Sequence, residues 1–260
     1  MATVEVGDAT LHVEVDGEGE PVTVLAHGLT NNSSELAAFT PFIPGTKVRF
    51  DFRGHGRSTA PSSGYRFADL ARDLDAVAKA YTAQNAVGTS LGAGAICHLV
   101  AREPERFRRL VFLLPAALDG EFLHRERLLK TAETIEGAPP HEEIEAVLAD
   151  PDRVADYLQA PWREQVDREM WRHEHPEGIA RAIREVIEDR AVDDREELRA
   201  VTAPTLILCL EGDPIHPAEL GEVLVHIMPN SELVTYESPE AMLEAVPFLV
   251  AKVSEFLAAP

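Results

Sequence analysis

Hydrophobic and polar positions change period along this chain, and the changes mark out its elements. Residues 2–6 and 10–16 alternate with a period of two around Gly7-Asp8, which predicts a β-hairpin. The run PVTVLAHG at 21–28 is short, apolar and closed by glycine, as a buried strand is. KVRFDFRGHG at 47–56 predicts another strand, running into a glycine-rich turn. Between 65 and 81 the period switches. Phe67, Leu70, Leu74, Val77, Ala78 and Tyr81 share one helical face, with Asp69, Arg72, Asp73 and Lys79 elsewhere. QNAVGTSLGAGAICHLVAR then predicts a short strand, a tight turn and a helix of small residues. Apolar runs at 110–116, 203–213 and 232–238 predict later strands, and one helix from about 239 to 257 follows. Strands alternating with helices predict an α/β fold with a mostly parallel sheet and helices on both faces.

The stretch 118–200 breaks this rhythm. It is dense in Glu, Arg and Leu, has no convincing strand, and is punctuated by GAPPHEE, ADPDR, APWRE and HEHPEG. Four or five helices are expected there, inserted between two sheet strands. The expected organisation is a core of residues 1–117 and 201–260 with a helical cap at 118–200. Within it, Trp162, Trp171, Met170 and Leu158 read as packed interior or as pocket lining. His173 and His175 point roughly 200° apart on a helix, so they predict solvated side chains and no shared metal.

Charge narrows the partners. Lys and Arg number 24 against 45 Asp and Glu, a formal net charge of −21. Nucleic acid and anionic membrane would both be repelled, so neither is an expected partner. Hydrophobic residues make up 45%, enough for a sizeable core. Cys97 and Cys209 sit inside apolar segments and read as buried thiols. The N-terminus shows neither a basic region nor an apolar signal segment, and no apolar run approaches the ~20 residues that span a bilayer. A cytoplasmic protein without metal or cofactor is expected.

The chemistry concentrates in Gly88-Thr89-Ser90-Leu91-Gly92, placed between a strand and a helix. That context makes it a nucleophile elbow, a strained turn on which Ser90 projects above the sheet. The Leu91 amide, at the helix start, would face an oxyanion. Taken in order, LAHGL, DFRGHGRS, VGTSLGAGA and LEGDPIHP make the chain resemble the α/β-hydrolase fold family in its capped form. The resemblance implies an oxyanion hole from the amides of Leu29 and Leu91. It implies structural roles for His27, Arg53 and His55. It places the acid of a catalytic triad at Asp213, with Glu211 as the neighbouring alternative.

One part of the family pattern is absent. A histidine is expected after the last strand, and Ser238-Pro239 stands there; no histidine follows His226. Glu237 would be a poor base for a serine unless burial raised its pKa. His216, three residues after Asp213, is a possible replacement base. Its loop, DPIHP, also reads as one in which histidine packs on the next helix. The sequence therefore supports serine-dependent hydrolysis of a small ester or lactone with an atypical base. It also supports a degenerate member acting as a cyclase, lyase, isomerase or binder.

Overall fold

The structure, a computed structural model, describes residues 2–123, 125–159, 162–213 and 215–259. Eight strands form one sheet: β1 (Ala2–Val6), β2 (Ala9–Asp16), β3 (Val22–Ala26), β4 (Thr46–Phe50), β5 (Asn85–Thr89), β6 (Arg109–Leu113), β7 (Thr205–Leu210) and β8 (Ser231–Tyr236). Their spatial order is β1-β2-β4-β3-β5-β6-β7-β8. The N-terminal hairpin is the antiparallel edge, with β2 antiparallel to β4, and every later pairing is parallel. The alternation of periods predicts such a mostly parallel α/β sheet, and the resemblance to the α/β-hydrolase family implies this architecture.

Helices α1 (Phe67–Ala80) and α2 (Leu91–Arg102) follow β4 and β5. Between β6 and β7 the chain lays down α3 (Arg125–Gly137), α4 (Glu143–Leu148), α5 (Pro151–Gln159), α6 (Trp162–Met170) and α7 (Pro176–Val186). Helix α8 (Ala218–Ile227) joins β7 to β8, and α9 (Pro239–Glu244) and α10 (Val246–Ala258) come last. Two apolar layers cover the sheet. Side chains of α1, α2 and α8 pack on one face around Phe50, Leu74, Ile96 and Phe112. On the other, Leu249, Val253 and Leu257 of α10 pack on Leu25, Val87, Val111 and Leu208. The inserted helices hold a third cluster, built on Ile135, Trp171, Ile179 and Ile183.

The single helix expected at 239–257 is two, with Ala245 between them. Pro247 explains the break: it sits in the first turn of α10, where a missing amide is tolerated, and it has no N–H to donate to a carbonyl of α9 and continue that ladder. Among the described residues, no helix is long and apolar enough to cross a membrane.

The strand order fixes where chemistry can sit. β3 lies between β4 and β5, so the chain leaves it on one side and returns on the other. That reversal opens a crevice at the C-terminal ends of β3 and β5, where ligands bind in open α/β sheets. Ala26 is level with Gly88 across the pair, so the loops that begin at His27 and at Ser90 start side by side.

Candidate active site

Ser90 sits between β5 and α2 with φ 49° and ψ −110°. This is the left-handed half of backbone space, costly for any residue with a side chain. The glycines around it allow the turn by close approach. A Cβ on Gly88 would lie 2.6 Å from the Ala93 amide nitrogen, and one on Gly92 would lie 2.3 Å from the Ala26 carbonyl oxygen. The turn is held by the Ser90 amide on Leu113 O (2.9 Å) and the Gly94 amide on Ser90 O (3.1 Å). Leu91 is the first residue of α2, so its amide has no intrahelical partner.

A cavity of about 320 Å³ opens over Ser90. Its floor is Gly28, Leu29, Ser90, Leu91 and His216, and its walls include Leu114, Phe122, Leu128, Met170 and Trp171. Sheet loops therefore supply the floor, and the inserted helices supply much of the roof. Among the described residues, five non-glycine positions have positive φ, and three of them (Thr30, Ser90, Leu114) line this cavity. Strain of this kind gathers where a fold serves a site.

His216 Nε2 lies 3.1 Å from Ser90 Oγ, and His216 Nδ1 lies 2.9 Å from Asp213 Oδ2. Asp213 does two jobs at once. Its Oδ1 accepts from the amides of Ile215 (2.8 Å) and His216 (3.1 Å), a tight turn closed by its own side chain. Its Oδ2 takes the ring. Burial pulls the Asp213 carboxyl upward, but the hydrogen bonds and charge of His216 outweigh it and hold the group below the usual carboxylate range. With Nδ1–H donated to the carboxylate, Nε2 carries the lone pair and faces the serine hydroxyl. An imidazole so placed can accept that proton.

Strand spacing explains why this loop reaches. β7 is two strands from β5, about 10 Å in the sheet plane, whereas β8 is three strands away, about 14 Å. Among the described residues, none after His216 lines the cavity. Glu211 and Glu237 are exposed and outside it. Ser238 Oγ accepts from the Ala241 amide (3.1 Å), a helix-capping contact at the start of α9.

His27 and His55 are fully buried, and His173 packs against His55 with ring centroids 6.0 Å apart. His173 contradicts the expectation of a solvated side chain. Its Nδ1 accepts from the Gly56 amide (2.8 Å) and its Nε2–H meets Thr30 O (3.1 Å), so it ties the inserted helices to the sheet loops. His27 likewise accepts from the Phe52 amide at Nε2 (3.0 Å) and donates from Nδ1 to Gly28 O (2.7 Å). Burial pushes all three imidazoles down to about 3. The unfolded chain takes up these protons near pH 6.5, and the folded chain does not until about 3. Stability therefore falls as pH drops from 6.5 towards 3 and is unaffected above that window. His27 and His55 each cost about 1.4 kcal/mol per pH unit there. Glu35, raised to about 7, acts in the opposite sense between pH 7 and 4.5 and offsets part of it. The urea midpoint is expected to fall clearly between pH 6.5 and 4.5; a flat or rising midpoint would contradict buried neutral histidines.

Leu158 is 81% exposed, neither core nor lining, whereas Trp171 is both packed among the inserted helices and exposed to the cavity. Of the histidines in the 118–200 stretch, His124 lies outside the described residues, as does the side chain of Trp162. Arg53 holds Asp73 through two parallel hydrogen bonds (2.8 and 2.7 Å), a buried brace under the loop after β4. Glu35 and Asn31 also line the cavity and were not visible in the sequence. Both lie on the irregular loop after β3, where no periodicity says which side chains turn inward.

Residues 21–243 match the family described as the alpha/beta hydrolase fold. The chain belongs to that family. It is 31% identical over 209 residues to a non-heme chloroperoxidase of Burkholderia pyrrocinia, covering 73% of this chain and 72% of that one. It is 27% identical over 236 residues to a bifunctional esterase/perhydrolase of Acinetobacter calcoaceticus, covering 83% of each. In structure it resembles the enol-lactonase of Burkholderia xenovorans LB400, with a TM-score of 0.81, 24% identity, and coverage of 99% of this chain and 100% of that one. Relatives of this kind support a hydrolase-type function.

Proposed function

We propose that the protein is a serine hydrolase of small, partly apolar esters or lactones, acting through Ser90, His216 and Asp213. The observation that carries this reading is the continuous line of contacts from Asp213 Oδ2 through the His216 ring to Ser90 Oγ. Ser90 Oγ attacks the substrate carbonyl as its proton passes to His216 Nε2. The carbonyl oxygen becomes an oxyanion held by the Leu29 and Leu91 amides. Collapse expels the alkoxide, which takes the proton from His216, and leaves an acyl ester on Ser90. Water, deprotonated by the same ring, attacks that ester, and the returning proton frees Ser90. Asp213 holds the ring in the useful tautomer and stabilises its charged form.

The inserted helices at 118–200 act as the cap, closing an apolar roof over this floor. A cavity of about 320 Å³ suits a small substrate. The esterase activity in a relative's name and the lactonase in a structural neighbour's fit this class. A role without a base, as lyase, isomerase or binder, is less well supported, because an imidazole stands within hydrogen-bond reach of the serine. Mass spectrometry after treatment with a fluorophosphonate is expected to find one adduct, on Ser90, absent in Ser90→Ala. An unmodified Ser90, or an adduct that survives the substitution, would overturn the reading.

A further inference from the structure

The mechanism above leaves the Glu35 carboxyl unused. Glu35 lines the cavity seven residues after Gly28 and is only partly exposed. Its Oε2 accepts from the Gly28 amide at 2.7 Å, and its Oε1 accepts from Asn31 Nδ2 at 2.6 Å. A Cβ built on Gly28 would lie 3.5 Å from Glu35 Oε1 and 3.5 Å from Ser90 Cβ, so this carboxyl packs across Gly28 from the nucleophile. Leu29, the next residue, carries one of the two amides assigned to the oxyanion.

We infer that Glu35 is a positioning residue, which fixes the His27–Gly28 peptide, one link before the one that carries the Leu29 amide, and so aims that amide at the developing oxyanion; this rests on the proposed hydrolase mechanism. The loop needs such a fixture. It is irregular from Gly28 to Glu35, and Thr30 is held at φ 67°. Its far side is anchored to the inserted helices by Asn32 Nδ2 on the carbonyls of Glu169 (2.9 Å) and Met170 (3.0 Å). On the near side, next to Ser90, Glu35 takes the Gly28 amide and Asn31 together.

A structural carboxylate would more economically sit at the surface. Here burial pushes Glu35 up to about 7, against the pull of the Gly28 amide, Asn31 and the charge of His216. Near neutrality it is therefore not a fixed counter-ion for His216. Either protonation state leaves one oxygen to accept from Gly28, and a rotated Asn31 amide can face a protonated oxygen. The hydrogen bond to Gly28, and not the charge, is what the loop uses. Glutamine keeps that acceptor and alanine does not.

The test is steady-state hydrolysis of p-nitrophenyl acetate, with fluorophosphonate labelling of Ser90 in parallel. In Glu35→Ala, kcat and the labelling rate are expected to fall about 10- to 100-fold, since a mis-aimed oxyanion donor costs about 10²-fold or more. KM is expected to change less than about threefold. Glu35→Gln is expected to restore most of both rates, with all three proteins unfolding at similar temperatures. Alanine rates equal to wild type would overturn the inference, while labelling of the wild type leaves the hydrolase reading intact. A loss that glutamine does not rescue would also overturn it, because charge would then be the working feature. An enzyme that never labels at Ser90 refutes the hydrolase reading and this inference with it.

Discussion

His216→Ala is expected to lower kcat for a small ester by about 10⁴-fold or more, with KM nearly unchanged. The ring contacts Ser90 Oγ at the cavity floor, so its loss falls chiefly on the chemical step. Among the described residues, no other histidine is placed to step in. His27, the nearest in sequence to the oxyanion loop, has both nitrogens committed to Gly28 O and the Phe52 amide, and burial holds it neutral with its lone pair turned away. Among the described residues, His216 is the one imidazole that lines the cavity. Because the members act as a unit, Ser90→Ala with His216→Ala is expected to be no slower than either change alone. Separate initial-rate measurements on the three variants check both statements. A double variant much slower than the singles would mean that the two side chains act independently.

Asp213→Asn is expected to cost a comparable factor, about 10⁴-fold in kcat, for a different reason. The carboxylate serves three donors, the Ile215 amide, the His216 amide and His216 Nδ1–H. Asparagine can keep Oδ1 on the two amides, so the turn survives. It then presents an NH₂ to Nδ1, which reverses the tautomer and puts Nε2–H towards Ser90. The lone pair needed for the serine proton is gone while the ring stays in place. Asp213→Ala removes the amide acceptor as well and is expected to lower thermal stability, which Asp213→Asn leaves nearly unchanged. Comparing kcat with unfolding temperature across the two variants separates tautomer control from loop support. Full activity in Asp213→Asn would contradict the assignment.

The parts of this site that were legible in the sequence were those carried by local geometry. Gly88, Ser90 and Gly92 show their meaning in five residues, because only glycine fits where Gly92 meets the Ala26 carbonyl. The alternation of periods carried the parallel sheet and its antiparallel hairpin edge. His216 was legible as one possible base, but its contact with Ser90 was not. It depends on β7 lying two strands from β5, and on Asp213 folding its own loop so that residue 216 turns back over the sheet. Read locally, DPIHP is equally a loop whose histidine packs on α8. His173 was hidden for the same reason, since its partners, Gly56 and Thr30, lie on two loops more than a hundred residues away. Pro247 was in plain view, yet the continuous apolar pattern around it outweighed the break it imposes.

In the proposed mechanism the loop after β7 supplies the base, where the family pattern places it after the last strand. The rate of fluorophosphonate labelling at Ser90 tests this most directly, because it reads activation of the serine without requiring the true substrate. Rapid labelling of the wild type is expected, and labelling slower by at least about 10²-fold in His216→Ala, since a positioned base contributes about 10²- to 10⁴-fold. Equal labelling rates in the two proteins would contradict this mechanism.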